Sequence, residues 1–166
     1  MLTLEEMLIR LGVAILLGAI IGWEREMAGK EAGIRTDIVV SAGAALFAIA
    51  SIALPYLTTL SPDQAMQAII QNSAGLRVVS NVVVGIGFLG AGIIIHQGSQ
   101  VRGLTTAASV WFVAAVGVLA GIGMTQFAII SATSITLLLL ILRKIDLYGI
   151  VEKEREAENK KVGSRK

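Results

Sequence analysis

Six charged residues crowd the end of the first apolar run: Glu24, Arg25, Glu26, Glu31, Arg35 and Asp37. Carboxylates are the oxygen ligands that a hard cation such as Mg²⁺ prefers. Mg²⁺ commonly takes one or two of them while keeping several waters. Glu24, Glu26 and Asp37 can supply such ligands. The alternative, which the residues alone favour, is an interfacial salt-bridge cluster in which Arg25 and Arg35 neutralise the acids and fix helix ends. A second polar turn, Arg102-Gly103-Leu104-Thr105-Thr106, offers a guanidinium and two hydroxyls. Asn81, with Arg77 one turn before it, is the notable polar residue in the third apolar run, where an amide is expected to hydrogen-bond a neighbouring helix.

Other chemistries lack their parts. There is no cysteine, so thiolate metal sites and a Cys nucleophile are excluded. His96 is the only histidine and has no carboxylate near it in sequence. No Ser-His-Asp set or pair of catalytic carboxylates can be assembled, so an enzyme is not expected, and no cofactor beyond Mg²⁺. Gly85-Ile86-Gly87-Phe88-Leu89-Gly90 spells a dinucleotide fingerprint, but it sits inside an apolar run, without the strand before it and the acidic residue after it that the fingerprint needs. No Asp or Glu falls in the middle of an apolar span, which counts against a proton-coupled pump. A net charge of +2 is too small to imply a nucleic-acid partner.

The elements that must position these residues are membrane helices. Only 16% of the 166 residues are charged, 55% are hydrophobic, and the mean hydropathy is +0.77; a soluble domain carries about 25% charge. Five apolar segments stand out: Leu8 to Trp23, Ile38 to Leu57, Val78 to Ile95, Leu104 to Ile122 and Phe127 to Leu142. A spanning helix needs about 20 apolar residues, so the first and fifth must borrow polar flanks. The expected fold is all-α: five transmembrane helices over residues 1–144, with a short charged tail over 145–166. Arg25, Lys30, Arg35, Arg102, Arg143, Lys144 and the tail's six Lys and Arg fall on one set of flanks, with only Arg10 and Arg77 on the other. That bias predicts an outside N-terminus and a cytoplasmic C-terminus. Glu5 and Glu6 stand where a signal peptide would be basic, so the first run is expected to be a retained helix.

Two flanking segments carry their own signals. Ser61-Pro62-Asp63-Gln64, followed by Ala65, Met66, Ile69 and Ile70, predicts a short amphipathic helix at the outer face, ending near Asn72 to Gly75. In the tail, Ile145, Tyr148 and Val151 share a helical face, and Glu156 and Lys160 form an i,i+4 pair within a nearly all-charged stretch read as a solvated, fraying helix.

Glycines punctuate the helices. Gly18 with Gly22, and Gly117 with Gly121, are GxxxG pairs suited to contacts within the chain or between copies; Gly85, Gly87, Gly90 and Gly92 form a helix-packing surface. Gly33-Ile34-Arg35-Thr36 and Gly103-Leu104-Thr105-Thr106 each precede an Ala-rich helix, which suggests a parallel repeat of two hairpins followed by a fifth helix.

These motifs resemble the MgtC/SapB family of bacterial inner-membrane proteins, labelled Mg²⁺ transporter-C proteins. The resemblance rests on residues 18–25 (GAIIGWER), 32–36 (AGIRT), 85–92 (GIGFLGAG) and 101–108 (VRGLTTAA), in that order. It implies a multi-pass inner-membrane protein linked to growth in low Mg²⁺ and, in pathogens, to survival inside host cells. It implies an accessory or regulatory role on other membrane proteins, with Mg²⁺ transport as the alternative. The expected partners are the lipid bilayer, a second copy in a homo-oligomer, and another membrane protein. The polar positions it carries over are Glu24, Arg25, Arg35, Thr36, Arg77, Arg102 and Thr106. The chain departs from the family pattern at Thr105, where members often have Asn, and at Asn81, where they often have Gln. Longer members carry a soluble ACT-like domain after the helices, and the residues after Val151 are too few and too charged to form one. If there is a site, the two turns around Arg25–Asp37 and Arg102–Thr106 are expected to build it together.

Overall fold

The computed structural model describes residues 2–58, 74–97 and 100–145. Among these there are five helices: α1 (Leu4–Met27), α2 (Ile34–Thr58), α3 (Ala74–Ile93), α4 (Leu104–Gly121) and α5 (Thr125–Ile145). A two-stranded antiparallel ribbon, β1 (Ile95–Gln97) and β2 (Gln100–Arg102), joins α3 to α4. The expected outer amphipathic helix and the charged tail lie outside the described residues.

Helix ends explain where the chain turns. Thr3 caps α1 through a reciprocal pair: its hydroxyl accepts from the Glu6 amide at 3.2 Å, and the Glu6 carboxylate accepts from the Thr3 amide at 2.9 Å. The far end of α1 closes in a Schellman turn, with Lys30 N–H on the Arg25 carbonyl, Gly29 N–H on that of Glu26, and Gly29 at φ +65°. The same turn recurs after α4, where Met124 and Gly123 donate to Leu119 and Ala120 and Gly123 takes φ +94°.

The expected boundaries shift at the first turn. Helix α1 runs on through Glu24, Arg25 and Glu26, and α2 starts at Ile34 rather than Ile38, so the connection is only residues 28–33. Apolar runs mark burial, whereas a helix continues until its backbone is capped. Here Glu26 Oε2 accepts from the Ile34 amide at 3.0 Å, placing a carboxylate at the N-terminus of α2.

The fold is all-helical as expected, and the bend after the third segment is a short ribbon rather than a plain loop. Helix α3 stops at Ile93, and Ile95 and His96 pair with Arg102 and Val101. Gly90 and Gly92 weaken the helix there, and β-branched Ile93, Ile94 and Ile95 favour the extended form. The ribbon supplies the hydrogen bonds that the helix gives up.

Helix α4 packs against all four other helices. The two GxxxG pairs both grip α2. A Cβ on Gly18 would lie 2.6 Å from the Asp37 carbonyl oxygen, and one on Gly22 would lie 2.7 Å from Ile34 Cα. A Cβ on Gly121 would lie 2.6 Å from the Ala45 carbonyl oxygen, and one on Gly117 would collide with that of Ser41. These pairings make α1 and α2 antiparallel, and α2 and α4 parallel. The shared core is mostly small: Ala14, Leu17, Ile21, Ala45, Val113, Val116, Ala120, Ala128 and Ala132.

Helix α3 is the exception. Gly85, Gly87 and Gly92 have no atom within 4 Å of where a Cβ would stand, and Gly90 meets Ala107 only at ordinary contact distance. Of Gly85, Gly87, Gly90 and Gly92, Gly90 alone therefore meets another helix among the described residues. Helix α3 and its neighbours leave a mainly apolar groove of about 550 Å³ between α2 and α3, with Asn81 on its wall.

Among the described residues, three helices are long and apolar enough to cross a membrane: α2 over Ile34–Leu54, α4 over Leu104–Gly121 and α5 over Thr125–Lys144. The apolar part of α3, Arg77–Ile93, is shorter, and α1 is charged at both ends. Large apolar side chains such as Leu16, Val84, Phe88 and Ile130 point outward, as a lipid-facing surface requires and water would penalise.

Candidate functional site

The charged residues of the first turn divide sharply by burial. Glu24, Arg25 and Asp37 are buried, at 4%, 2% and 0% exposure, together with Ser41 and Thr106. Glu26, Glu31, Arg35 and Thr36 are exposed. Helical spacing produces the split. Gly18 and Gly22 lie on the face of α1 that meets α2, Ile21, Glu24 and Arg25 follow at helical spacing among its buried residues, and Asp37 and Ser41 lie one turn apart on the face of α2 that meets α1. The small residues Gly18 and Gly22 bring the two backbones together, which encloses Asp37.

Hydrogen bonds join the two turns. Arg25 Nη2 donates to Thr106 Oγ1 at 3.3 Å, and Thr106 Oγ1 donates to Glu31 Oε2 at 2.7 Å. The Thr106 hydroxyl thus gives its proton to Glu31 and a lone pair to Arg25, both on the first turn. Its bond holds the Glu31 carboxyl below the ordinary carboxylate range, with the Glu31 backbone and the charges of Lys30 and Arg25 adding to the effect. Thr106 is presented by the first turn of α4. That turn depends on Gly103 at φ +82°, where a Cβ would collide with the Ile93 carbonyl oxygen.

Several polar atoms behind this relay have no hydrogen-bond partner: both Asp37 carboxylate oxygens, Glu24 Oε2 and Arg25 Nε. Arg25 lies close enough for its charge to act on Asp37. Glu26 is turned to the α2 N-terminus, and among the described residues no three His, Cys, Asp or Glu are grouped to hold a metal ion.

The remaining expected residues lie elsewhere. Arg102 and Thr105 are exposed on the ribbon and the first turn of α4. Arg77 and Asn81 are exposed near the start of α3, toward the opposite end of the bundle from the relay. Two contributors escape a reading of the motifs. Ser41 donates to the Ala14 carbonyl at 2.8 Å, and its spacing of four from Asp37 was the available signal. Arg10, visible in sequence only as a charge near the chain start, donates to the Gly121 carbonyl at 3.0 Å and caps α4.

Comparison with known proteins follows the same stretch. A sequence model of the MgtC family matches residues 11–148. Protein MgtC of Salmonella typhimurium (strain LT2) is 41% identical over 137 residues, 82% of this chain and 52% of its own length. Protein MgtC of Brucella abortus (strain 2308) is 42% identical over 132 residues, 80% of this chain and 49% of its own. The chain spans about half the length of the curated relatives it matches. No solved structure matches it. With its family match covering all of α2 to α5 and most of α1, this chain belongs to the MgtC family.

Proposed function

We propose that this chain is a multi-pass protein of the bacterial inner membrane that acts as an accessory or regulatory component of Mg²⁺ homeostasis. It works through contacts with another membrane protein and is not an enzyme. The observation that carries this reading is the interlocked charge at one end of the bundle. Glu24, Arg25 and Asp37 are buried there, and Arg25 is tied through Thr106 to Glu31. The core between that end and the other is filled by Ala, Val, Leu and Ile. A charged, shape-fixed end backed by an apolar core suits recognition better than conduction.

In this reading all five helices span, with the N-terminus outside and the C-terminus inside. Lys30, Arg35, Arg102, Arg143 and Lys144 share the cytoplasmic end. Two hairpins form a parallel repeat. Its support is the matched capping of α2 and α4, where Asp37 N–H bonds the Gly33 carbonyl at 3.0 Å and Ala107 N–H bonds that of Gly103 at 2.8 Å. The open glycines of α3 leave room for a second copy in a homo-oligomer.

The test is growth of a strain lacking the protein in low-Mg²⁺ medium. Wild-type chain restores growth and Arg25→Gln or Thr106→Val does not, at equal membrane abundance. Equal rescue by all three would sink the reading. The second reading is a divalent-cation transporter or channel. It is favoured by Asp37, whose buried carboxylate has two oxygens free to meet a passing cation.

A further inference from the structure

The apolar groove between α2 and α3 has the dimensions of a hydrocarbon chain. Its wall on α3 runs from Val78 to Leu89, about 17 Å at the helical rise of about 1.5 Å per residue. Spread over that length, its volume of about 550 Å³ gives a mean cross-section of about 30 Å². A helix with its side chains is about 10 Å across and needs about 80 Å². Methylene chains in contact lie about 4 Å apart, so each takes about 15–20 Å². The groove therefore admits an extended acyl chain and is too narrow for another helix. Its length agrees, since one leaflet spans half of a hydrocarbon core about 30 Å thick. Val39, Phe47 and Leu89 on its walls are more than half exposed, so it opens sideways to lipid. Gly43 and Gly85 keep it open, with no atom within 4 Å of where a Cβ of either would stand.

One end of the groove is polar. Asn81 lines it, and Arg77 stands one turn before Asn81 on α3. Gly75 lies beside Ser51, and Gly90 beside Ala107 at the start of α4, so α3 runs antiparallel to α2 and Arg77 lies beyond the Phe47 end. Arg77 and Asn81 are exposed, and among the described residues neither side chain makes a hydrogen bond or ion pair. The bond expected between Asn81 and a neighbouring helix is thus not made there. At the edge of hydrocarbon, such groups are costly until a polar partner reaches them. A phosphate suits Arg77, whose forked donors match its oxygens. We infer that the groove seats an acyl chain of an anionic phospholipid, with Arg77 on its phosphate and Asn81 on the ester carbonyl one turn deeper. A zwitterionic headgroup is disfavoured because it brings a second cation to Arg77. Gly87 and Gly92 do not line the groove and stay available to a second copy. The inference requires a bilayer but no part in Mg²⁺ homeostasis, so either can fail without the other.

Native mass spectrometry of the full chain tests it, with the protein released from detergent containing equimolar phosphatidylglycerol and phosphatidylcholine of matched chains. Wild type should retain one phosphatidylglycerol per chain, preferred roughly tenfold over phosphatidylcholine, the gain expected of a charge-assisted bond. Arg77→Gln should lose that preference. Gly85→Leu fills the groove from a position with no atom nearby, and should cut retention of both lipids roughly tenfold. Gly87→Leu places the same side chain on α3 away from the groove and should match wild type. Equal retention of the two lipids by wild type, or retention that Gly85→Leu leaves unchanged, overturns the inference. So does a dimer that Gly85→Leu splits while lipid retention stays intact, since the groove then holds a second copy.

Discussion

Replacing Gly117 by alanine puts one methyl group between α4 and α2. That methyl would collide with the Ser41 carbonyl oxygen and stand 2.9 Å from both the Ser41 carbonyl carbon and Cα. These are backbone atoms in the middle of a helix, so no side chain can swing aside. The helices must part by roughly 1 Å in an interior packed without slack. Overpacking of this kind costs about 1–3 kcal/mol. Moving Ser41 also strains its hydrogen bond to Ala14 across to α1, about 1 kcal/mol more. Alanine's better helix propensity returns at most about 1 kcal/mol. The net loss is about 1–3 kcal/mol, which at about 2–4 °C per kcal/mol for a chain of this size is roughly 2–12 °C in Tm. The control is Gly85→Ala, where nothing lies within 4 Å, and which should be neutral or slightly stabilising. Thermal unfolding in detergent, followed by circular dichroism, measures both. A Gly117→Ala protein as stable as wild type, or a Gly85→Ala protein that loses as much, would refute the packing argument.

Three further outcomes follow from the same contacts. Glu31's carboxyl is depressed in the folded state, so its bond to Thr106 contributes above the ordinary carboxylate pKa of 4.5 and is lost as pH falls through the lower folded value; the Tm gap between wild type and Glu31→Gln should be full at pH 7 and close toward strong acid. Gly103→Ala forces a Cβ onto a left-handed backbone and into Ile93, so it should destabilise the α4 start by at least about 1–2 kcal/mol in chemical denaturation. Arg10→Met keeps bulk but removes the bond to Gly121 at the α4 C-terminus, and should cost about 1–2 kcal/mol, with Arg10→Lys recovering part of it.

What could be read from the sequence differs by element. The five helices were legible because long apolar runs and glycine-polar turns report burial and reversal directly. The pairing of the two polar turns was also legible, since consistent Lys and Arg placement puts both on one end. The division within the charged cluster was not. Glu24 and Glu26 are neighbours but not equivalent, because two residues of helix turn one inward and the other toward the α2 N-terminus. That requires knowing that α1 continues past Trp23. The glycines look alike as strings, yet Gly18, Gly22, Gly117 and Gly121 press on the α2 side while Gly85, Gly87 and Gly92 meet nothing among the described residues. The β-ribbon was hidden in a bend of about eight residues, too short for periodicity to show. Arg10's cap joins residues 111 apart in sequence, a separation that no local pattern encodes.

The central claim is that the buried charges serve recognition rather than passage of ions. Purified protein in liposomes loaded with a Mg²⁺-sensitive dye tests it most directly. The account predicts no Mg²⁺ entry above that of protein-free liposomes, for wild type and for Glu24→Gln and Asp37→Asn alike. Saturable Mg²⁺ entry in wild type that Asp37→Asn abolishes would contradict it.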